Sequence, residues 1–434
     1  MAVTDSSSLS ESAGLLARAQ GLIPGQSQTM SKGPTQWVQG VAPAYLRRGR
    51  GARVQDVDGR WYLDFPMGLG PIILGHGHEA VNAAIARQLE DGITFTLPHP
   101  LEVEVAERIR AVVPGAERVR FAKSGSDATT AAIRVSRAVT GRDRVIVAGY
   151  HGWHDWYIAS TSRRRGVPAA TQGLVEAVPA GDPGALEAAL ERHPGDVACV
   201  IVEPIGMREP AEGELQAIVD RVRRHGALAV FDEVISGFRL APGGAQERYG
   251  VVPDLAAFGK ALGNGMPISA LAGRGEVMDV LEDVFFSGTH GGETLSLAAA
   301  AATLDVMASE PVHEHLWRLG ERLQAGVRAQ IARTGLEDWV SCGGAAPWTL
   351  VAVREPRPGE ASLPAKTLLQ QEMLRRGVLY NGSNFISYAH GEGDIDEAID
   401  AYGAAFERLA TALPDGVEAQ LDGPPVAQVF RPVQ

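Results

Sequence analysis

ALAVFDEV, residues 227–234, sets an apolar run directly before two carboxylates, Asp232 and Glu233, and the chain repeats that texture on either side. RVRFA at 118–122, RVIVAG at 144–149, VACVIVEP at 197–204 and DLAAFG at 254–259 are short apolar runs bounded by Gly, Pro or charge. Such runs suit strands buried on both faces of a parallel sheet. Helical patterns separate them, and strand–helix alternation over this length predicts a doubly wound α/β domain. In open sheets of that kind ligands bind at the carboxyl ends of the strands. Further out, AYLRRGRGARVQDVDGRWYLDF at 44–65 reads as short strands with Asp58-Gly59 as a hairpin turn. Ser10 to Ala19 reads as a first helix, broken by the Gly-Leu-Ile-Pro-Gly that ends at Gly25. After Gly343-Gly344, the strand WTLVAV (348–353), a helix near 364–376, the strand VLYN (378–381) and an acid-rich helix from Asp394 make a smaller α+β unit with an irregular tail. The expected division is 1–68, an N-terminal segment contributing to the small domain; 69–320, the large domain; and 321–434, the C-terminal small domain and tail.

At 434 residues the chain is long enough for two or three domains of about 150 residues each. Hydrophobic residues at 45% against charged residues at 21% exclude disorder as the dominant state. Forty basic and 52 acidic side chains give a net charge of −12, which speaks against a nucleic-acid or anionic-membrane partner. Two cysteines, Cys199 and Cys342, make no disulfide framework and read as reduced, packed thiols. No secretory leader or membrane-spanning run is visible, so a cytoplasmic location is expected.

Three strand ends carry chemistry. RVRFA runs into Lys123-Ser124-Gly125-Ser126-Asp127, and a helix begins at once. Small residues at a helix N-terminus expose free N–H groups where the dipole is positive, which would cradle a phosphate; a plain N-cap is the alternative. Asp232 and Glu233 need a cation, hydrogen bonds or a metal to offset desolvation, or they form a structural ion pair. DLAAFG ends in Lys260, one of only four lysines beside Lys32, Lys123 and Lys366. A desolvated lysine amine becomes a nucleophile for a carbonyl; a strand-end lysine reaching for water is the plain reading. Together, an anion cup, a buried acid and an amine are what pyridoxal 5′-phosphate (PLP) requires for its phosphate, ring nitrogen and aldehyde.

These residues carry a resemblance. LIPG (22–25), DVDGRWYLD (56–64), GPIILGHGH (70–78), FAKSGSDATTAAIRVSRAVTGRDR (121–144), GYHGWHD (149–155), FDEVISGFR (231–239), PDLAAFGKALGNGMP (253–267) and SGTH (287–290) make the chain similar to class III, fold-type I PLP-dependent aminotransferases, of the subgroup with glutamate-1-semialdehyde aminomutase. The resemblance, from about Leu15 to Ala405, implies a large domain with a mostly parallel mixed sheet plus a smaller α+β domain. It implies Lys260 as the Schiff-base lysine and proton shuttle, and Asp232 as partner of the pyridinium nitrogen. Val234 and Tyr150 would cover the two ring faces. Ser124, Gly125 and Ser126 would hold the phosphate, completed by Thr289 of a neighbouring subunit in a homodimer, and His151 and Glu203 would line the cofactor. His151, His154 and Asp155 could pose as a metal cluster, but their motif points to cofactor packing, and no metal is expected. His313-Glu314-His315 reads as a solvated helix face.

The chain departs from that subgroup at three places that, by the resemblance, border the substrate. Gly68-Leu69-Gly70-Pro71 stands for Ser-Trp-Gly-Pro, Gly292-Glu293-Thr294-Leu295 for Gly-Asn-Pro-Leu, and Asn384-Phe385 is followed by Ile386-Ser387 where a glutamate is usual. Lys123 also replaces a usual Asn. The reading is therefore an aminotransferase using a small-molecule amino donor and a keto or aldehyde acceptor, such as a sugar or secondary-metabolite intermediate. The alternatives are a PLP-dependent isomerase (a 2,1-aminomutase, epimerase or racemase) and a silent PLP-binding homologue. Arg239 is one candidate among many for binding a substrate carboxylate.

Overall fold

The computed structural model describes residues 9–354 and 362–427, so the Ser-rich start and the last stretch of the tail lie outside the described residues. The described chain divides into two compact units, one built from 9–69, 73–78 and the part after 314, the other from 70–72 and 79–313.

In the first unit Ser10–Gln20 is helical, as its pattern predicts. Strands β1 (Leu46–Arg50), β2 (Arg53–Asp56) and β3 (Trp61–Asp64) follow, with the Asp58-Gly59 turn between β2 and β3 and Gly59 at φ +92°. Asp56 ties the turn, its carboxylate accepting from Arg60 N at 2.8 Å and from the Tyr62 hydroxyl at 3.1 Å.

The second unit holds the seven-stranded sheet. Its strands are β4 (Arg118–Ala122), β5 (Arg144–Ala148), β6 (Val175–Ala177), β7 (Val197–Val202), β8 (Leu228–Glu233), β9 (Leu255–Phe258) and β10 (Ser269–Gly273), in the order β4-β10-β9-β8-β7-β5-β6. Strands β5 to β9 pair in parallel, and every residue of β7 and β9 is buried, as continuous apolar runs require. RVRFA differs from that pattern. It pairs antiparallel with β10, which is itself antiparallel to β9, and before the buried Ala122 it alternates between exposed and half-buried residues as an edge strand does. The sheet is therefore mixed. Ala132, Val145, Val147, Ile201, Val230 and Leu271 meet in one core cluster of this unit.

In the first unit the C-terminal part adds β11 (Val340–Gly343), β12 (Trp348–Val353), β13 (Val378–Leu379) and β14 (Ser383–Phe385). Strand β13 joins β3 in parallel, while β11, β12 and β14 form an antiparallel sheet. The helices Ser362–Arg375 and Glu392–Ala412 match the predicted pair. Both cysteines are free, and burial pushes the Cys199 thiol up to about 12. No single helix among the described residues is long and apolar enough to cross a membrane.

Strand β8 ends in a fully buried acid that is spent on structure. Glu233 accepts from Ala245 N at 2.6 Å, Gln246 N at 3.2 Å and the Ser236 hydroxyl at 2.9 Å, so it caps the short Gly244–Tyr249 helix from across the fold. Burial outweighs those donors and raises its carboxyl from 4.5 to about 7. The native state then holds a proton that the unfolded chain has released, and stability is lost as pH climbs from 4.5 towards 7. A carboxyl held that far above its ordinary value corresponds to a loss on the order of 3 kcal/mol across this range. The thermal midpoint of Glu233→Gln should therefore fall less between pH 5 and 8 than that of the wild type; parallel pH profiles would contradict this.

Candidate active site

The carboxyl ends of β4, β5, β7, β8 and β9 converge on a cavity of about 340 Å³ in the second unit. Gly125, Ser126, Tyr150, His151, Glu203, Asp232, Val234 and Lys260 all line it. Lys260 lies two residues past the end of β9, after Gly259, with φ +38°, a left-handed conformation that costs a non-glycine residue on the order of 1 kcal/mol or more. Its side chain is half-buried on the cavity wall. Burial pushes the ammonium below the ordinary 10.5 against the opposing pull of Asp232 and Glu203. The cation is thus easier to deprotonate, which is what a carbonyl-directed amine needs.

Asp232 is 6% exposed, and its Oδ2 lies 2.8 Å from His151 Nδ1 while Oδ1 accepts from Val234 N at 3.1 Å. The other ring nitrogen of His151, Nε2, is buried without a hydrogen-bond partner. Glu203 follows β7 and accepts from Tyr150 N at 2.8 Å. Burial, with Asp232 nearby, holds its carboxyl above the ordinary range. Tyr150 is half exposed and meets Tyr157 edge-on, 5.5 Å between ring centres.

The structure shows the N-cap and leaves the next two residues beside the cavity. Ser124 is the cap: its hydroxyl accepts from Asp127 N at 3.2 Å, and Asp127 accepts from Ser124 N at 2.8 Å in return. Ser124 is absent from the cavity wall, where Gly125 and Ser126 stand at the first turn of the Gly125–Thr140 helix. A Cβ on Gly125 would come within 2.8 Å of Val234 Cγ1, so only glycine lets the helix end approach this closely.

Thr289 does not reach this cavity within one chain. It lines a second one of about 460 Å³ with Asp127, His154 and His290, and Lys123 is on the wall of both. Arg239 is also elsewhere. Its side chain is fully buried and donates to Gly70 O at 2.6 Å, fixing the backbone beside Pro71, which does line the Lys260 cavity. His154 Nδ1 lies 2.7 Å from the Thr130 hydroxyl, and no metal-holding group of His, Cys, Asp or Glu occurs among the described residues. His313 and His315 correct the expectation of a solvated face: Nε2 of each bonds a backbone carbonyl, that of Phe238 at 3.0 Å and that of His390 at 2.9 Å. Sequence reasoning did not single out Thr129, Ile235 or the 265–268 wall.

The residues fit PLP by their chemistry. One cavity holds an amine with a lowered proton affinity, a buried carboxylate, a glycine-bearing helix N-terminus and an orphaned imidazole nitrogen, within the volume range of small-ligand pockets.

Comparison with known proteins adds the family. The profile described as aminotransferase class-III matches residues 36–340. The chain belongs to the class-III aminotransferase family. A glutamate-1-semialdehyde 2,1-aminomutase of Sorangium cellulosum (strain So ce56) is 37% identical over 416 residues, 89% of this chain and 94% of that protein. Among solved structures, a transaminase with PLP bound is 29% identical with a TM-score of 0.85, covering 93% of this chain and 98% of that one. A glutamate-1-semialdehyde aminomutase from Pseudomonas aeruginosa PAO1 is 26% identical with a TM-score of 0.81, covering 92% and 95%. As in its relatives, the fold is that of fold-type I PLP enzymes.

The lowered proton affinity of Lys260 has a direct readout, because this class-III chain contains only four lysines. Competitive acetylation of cofactor-free protein, resolved by peptide, should give Lys260 a half-reaction pH below 10.5. Asp232→Asn should lower that midpoint further, since the carboxylate favours the ammonium. A midpoint at or above 10.5 in the wild type would contradict the geometry.

Proposed function

We propose that this protein is a PLP-dependent aminotransferase that moves an amino group from a small-molecule donor to a keto or aldehyde acceptor. The observation that carries the reading is the Lys260–Asp232–Gly125 constellation on one cavity wall. Bound there, PLP supplies a carbonyl for amines and a ring that takes up the electron pair released at the substrate carbon. Lys260 provides the amine that holds the cofactor and then carries a proton to and from the substrate carbon. Asp232, oriented by His151, sits as an acceptor for a protonated ring nitrogen. Gly125 and Ser126 present the helix N-terminus to the phosphate. Val234 and Tyr150 would cover the two ring faces.

One residue that replaces an aminomutase marker supports intermolecular transfer. Glu293 is engaged by its own helix and by Lys123, so its carboxylate is not left over for the substrate that marker serves. A second reading, an aminomutase acting within one molecule, has the weight of the named relatives behind it, more than transfer between two molecules has. We also infer a homodimer in which Thr289 reaches the phosphate of the other copy. Its support is the separate cavity of Thr289 and the exposed Phe285 (81%) and Leu97 (77%) of the single chain.

Acceptor dependence separates the two readings. Mixed with a panel of amines and no acceptor, the yellow holoenzyme should be bleached by some donor and regain its colour only when a carbonyl acceptor is added. Asp232→Asn should slow the bleaching by about 10²-fold or more. Product formation from one amino aldehyde with no added acceptor would instead establish the aminomutase.

A further inference from the structure

Lys123 stands immediately after β4, as Lys260 stands one glycine beyond β9, yet neither a strand pattern nor the cofactor chemistry gives it a task. It lines the Lys260 cavity and the adjoining cavity of Thr289. Its ammonium donates to Glu293 Oε2 at 2.9 Å, with the two side chains 25% and 13% exposed. That pair is unequal. Glu293 heads the Thr294–Ser309 helix, where its carboxylate also accepts from Leu295 N at 2.6 Å, Ser296 N at 3.2 Å and the Ser296 hydroxyl at 2.6 Å. Burial would raise this carboxyl, but the Ser296 hydroxyl, Lys123 and the Leu295 amide together hold it below the ordinary range. If the ammonium leaves, Glu293 keeps three donors and a helix N-terminus. Lys123 has no other side-chain hydrogen bond among the described residues, and its four-carbon stem is flexible. Both side chains are largely buried, so the ammonium leaves Glu293 only for another anion that takes its place as partner.

The cavity also lacks any other cation for the task. Among the described residues on its wall, Lys123 and Lys260 carry the ammonium groups, and no arginine is present. Lys260 is committed to the carbonyl. We propose that Lys123 is the anion-recognising residue of this cavity: it leaves Glu293 and takes a carboxylate or phosphate oxygen of the molecule bound there, and Glu293 receives it back when the site empties. This rests on the reading of the Lys260 cavity as the cofactor and substrate site. The anion has two candidate sources, an acidic group of the substrate or the phosphate of PLP.

Two titrations on the holoenzyme distinguish them. Glutarate, a dicarboxylate with neither amine nor carbonyl to react, is titrated while the cofactor absorbance is followed; the PLP dissociation constant is read from loss of that absorbance on dilution. Lys123→Met should raise one of the two constants about tenfold, the loss of one charge-assisted bond. Lys123→Arg should restore most of it. Glu293→Gln, which keeps an acceptor for the helix but loosens the hold on Lys123, should lower the same constant. A purely structural strut could not produce that reversal of sign. A change in the glutarate constant assigns the anion to the substrate, and a change in the PLP constant assigns it to the phosphate. The proposal is overturned if Lys123→Met leaves both constants within twofold, or if Glu293→Gln raises the constant that Lys123→Met raises. Failure of the transaminase reading looks different: a holoenzyme that binds glutarate as described but is bleached by no amine sinks transfer and leaves Lys123 its role. A protein that takes up no PLP overturns both.

Discussion

A lysine amine partly withdrawn from water beside two carboxylates is costly, and the second unit is arranged around that cost. Lys260 gives up part of its hydration just beyond β9 and holds a left-handed backbone there. The carboxylates that face it, Asp232 and Glu203, stand at the ends of the neighbouring strands β8 and β7. Parallel pairing of β7, β8 and β9 is what brings two carboxylates and an amine to one edge of the sheet. Each acid is in turn held: Asp232 by His151 and the Val234 amide, Glu203 by the Tyr150 amide.

Adjacent residues on β8 show how strand alternation divides labour. Asp232 faces the cavity, while Glu233, one residue on, points to the other side of the sheet and caps a helix. The same economy is seen at the turn after β4. There Ser124 satisfies the helix N-terminus, and Gly125 and Ser126 are left to line the cavity. Arg239, fully buried, serves the site at one remove by holding the Gly70 carbonyl next to Pro71.

Much of this was legible in the sequence because it is local. Continuous apolar runs identify β5, β7, β8 and β9, and Lys260, Asp232 and Gly125 stand at strand ends where the topology rule directs attention. Strand β10 was not legible. Its Ser269-Ala-Leu-Ala-Gly273 is poor in β-branched residues, and Gly273 is needed because a Cβ there would lie 2.5 Å from Asp254 O. The antiparallel step it introduces follows from tertiary packing rather than from any run of residues. His313 and His315 look solvated beside Glu314, yet each bonds a carbonyl 75 positions away in sequence. The Lys123–Glu293 pair spans 170 positions, and no spacing rule reaches that far. Substitution against the subgroup pattern marked both residues as unusual, but only the fold shows that they meet.

We infer above all that Lys260, and no other lysine, is the amine that engages the cofactor. Borohydride reduction of the holoenzyme, followed by peptide mass spectrometry, tests it most directly, since only Lys32, Lys123 and Lys366 compete. The reduced cofactor should appear on the peptide containing Lys260 and on no other. Finding it on Lys123, or finding no lysine modified in protein that carries PLP, would contradict the assignment.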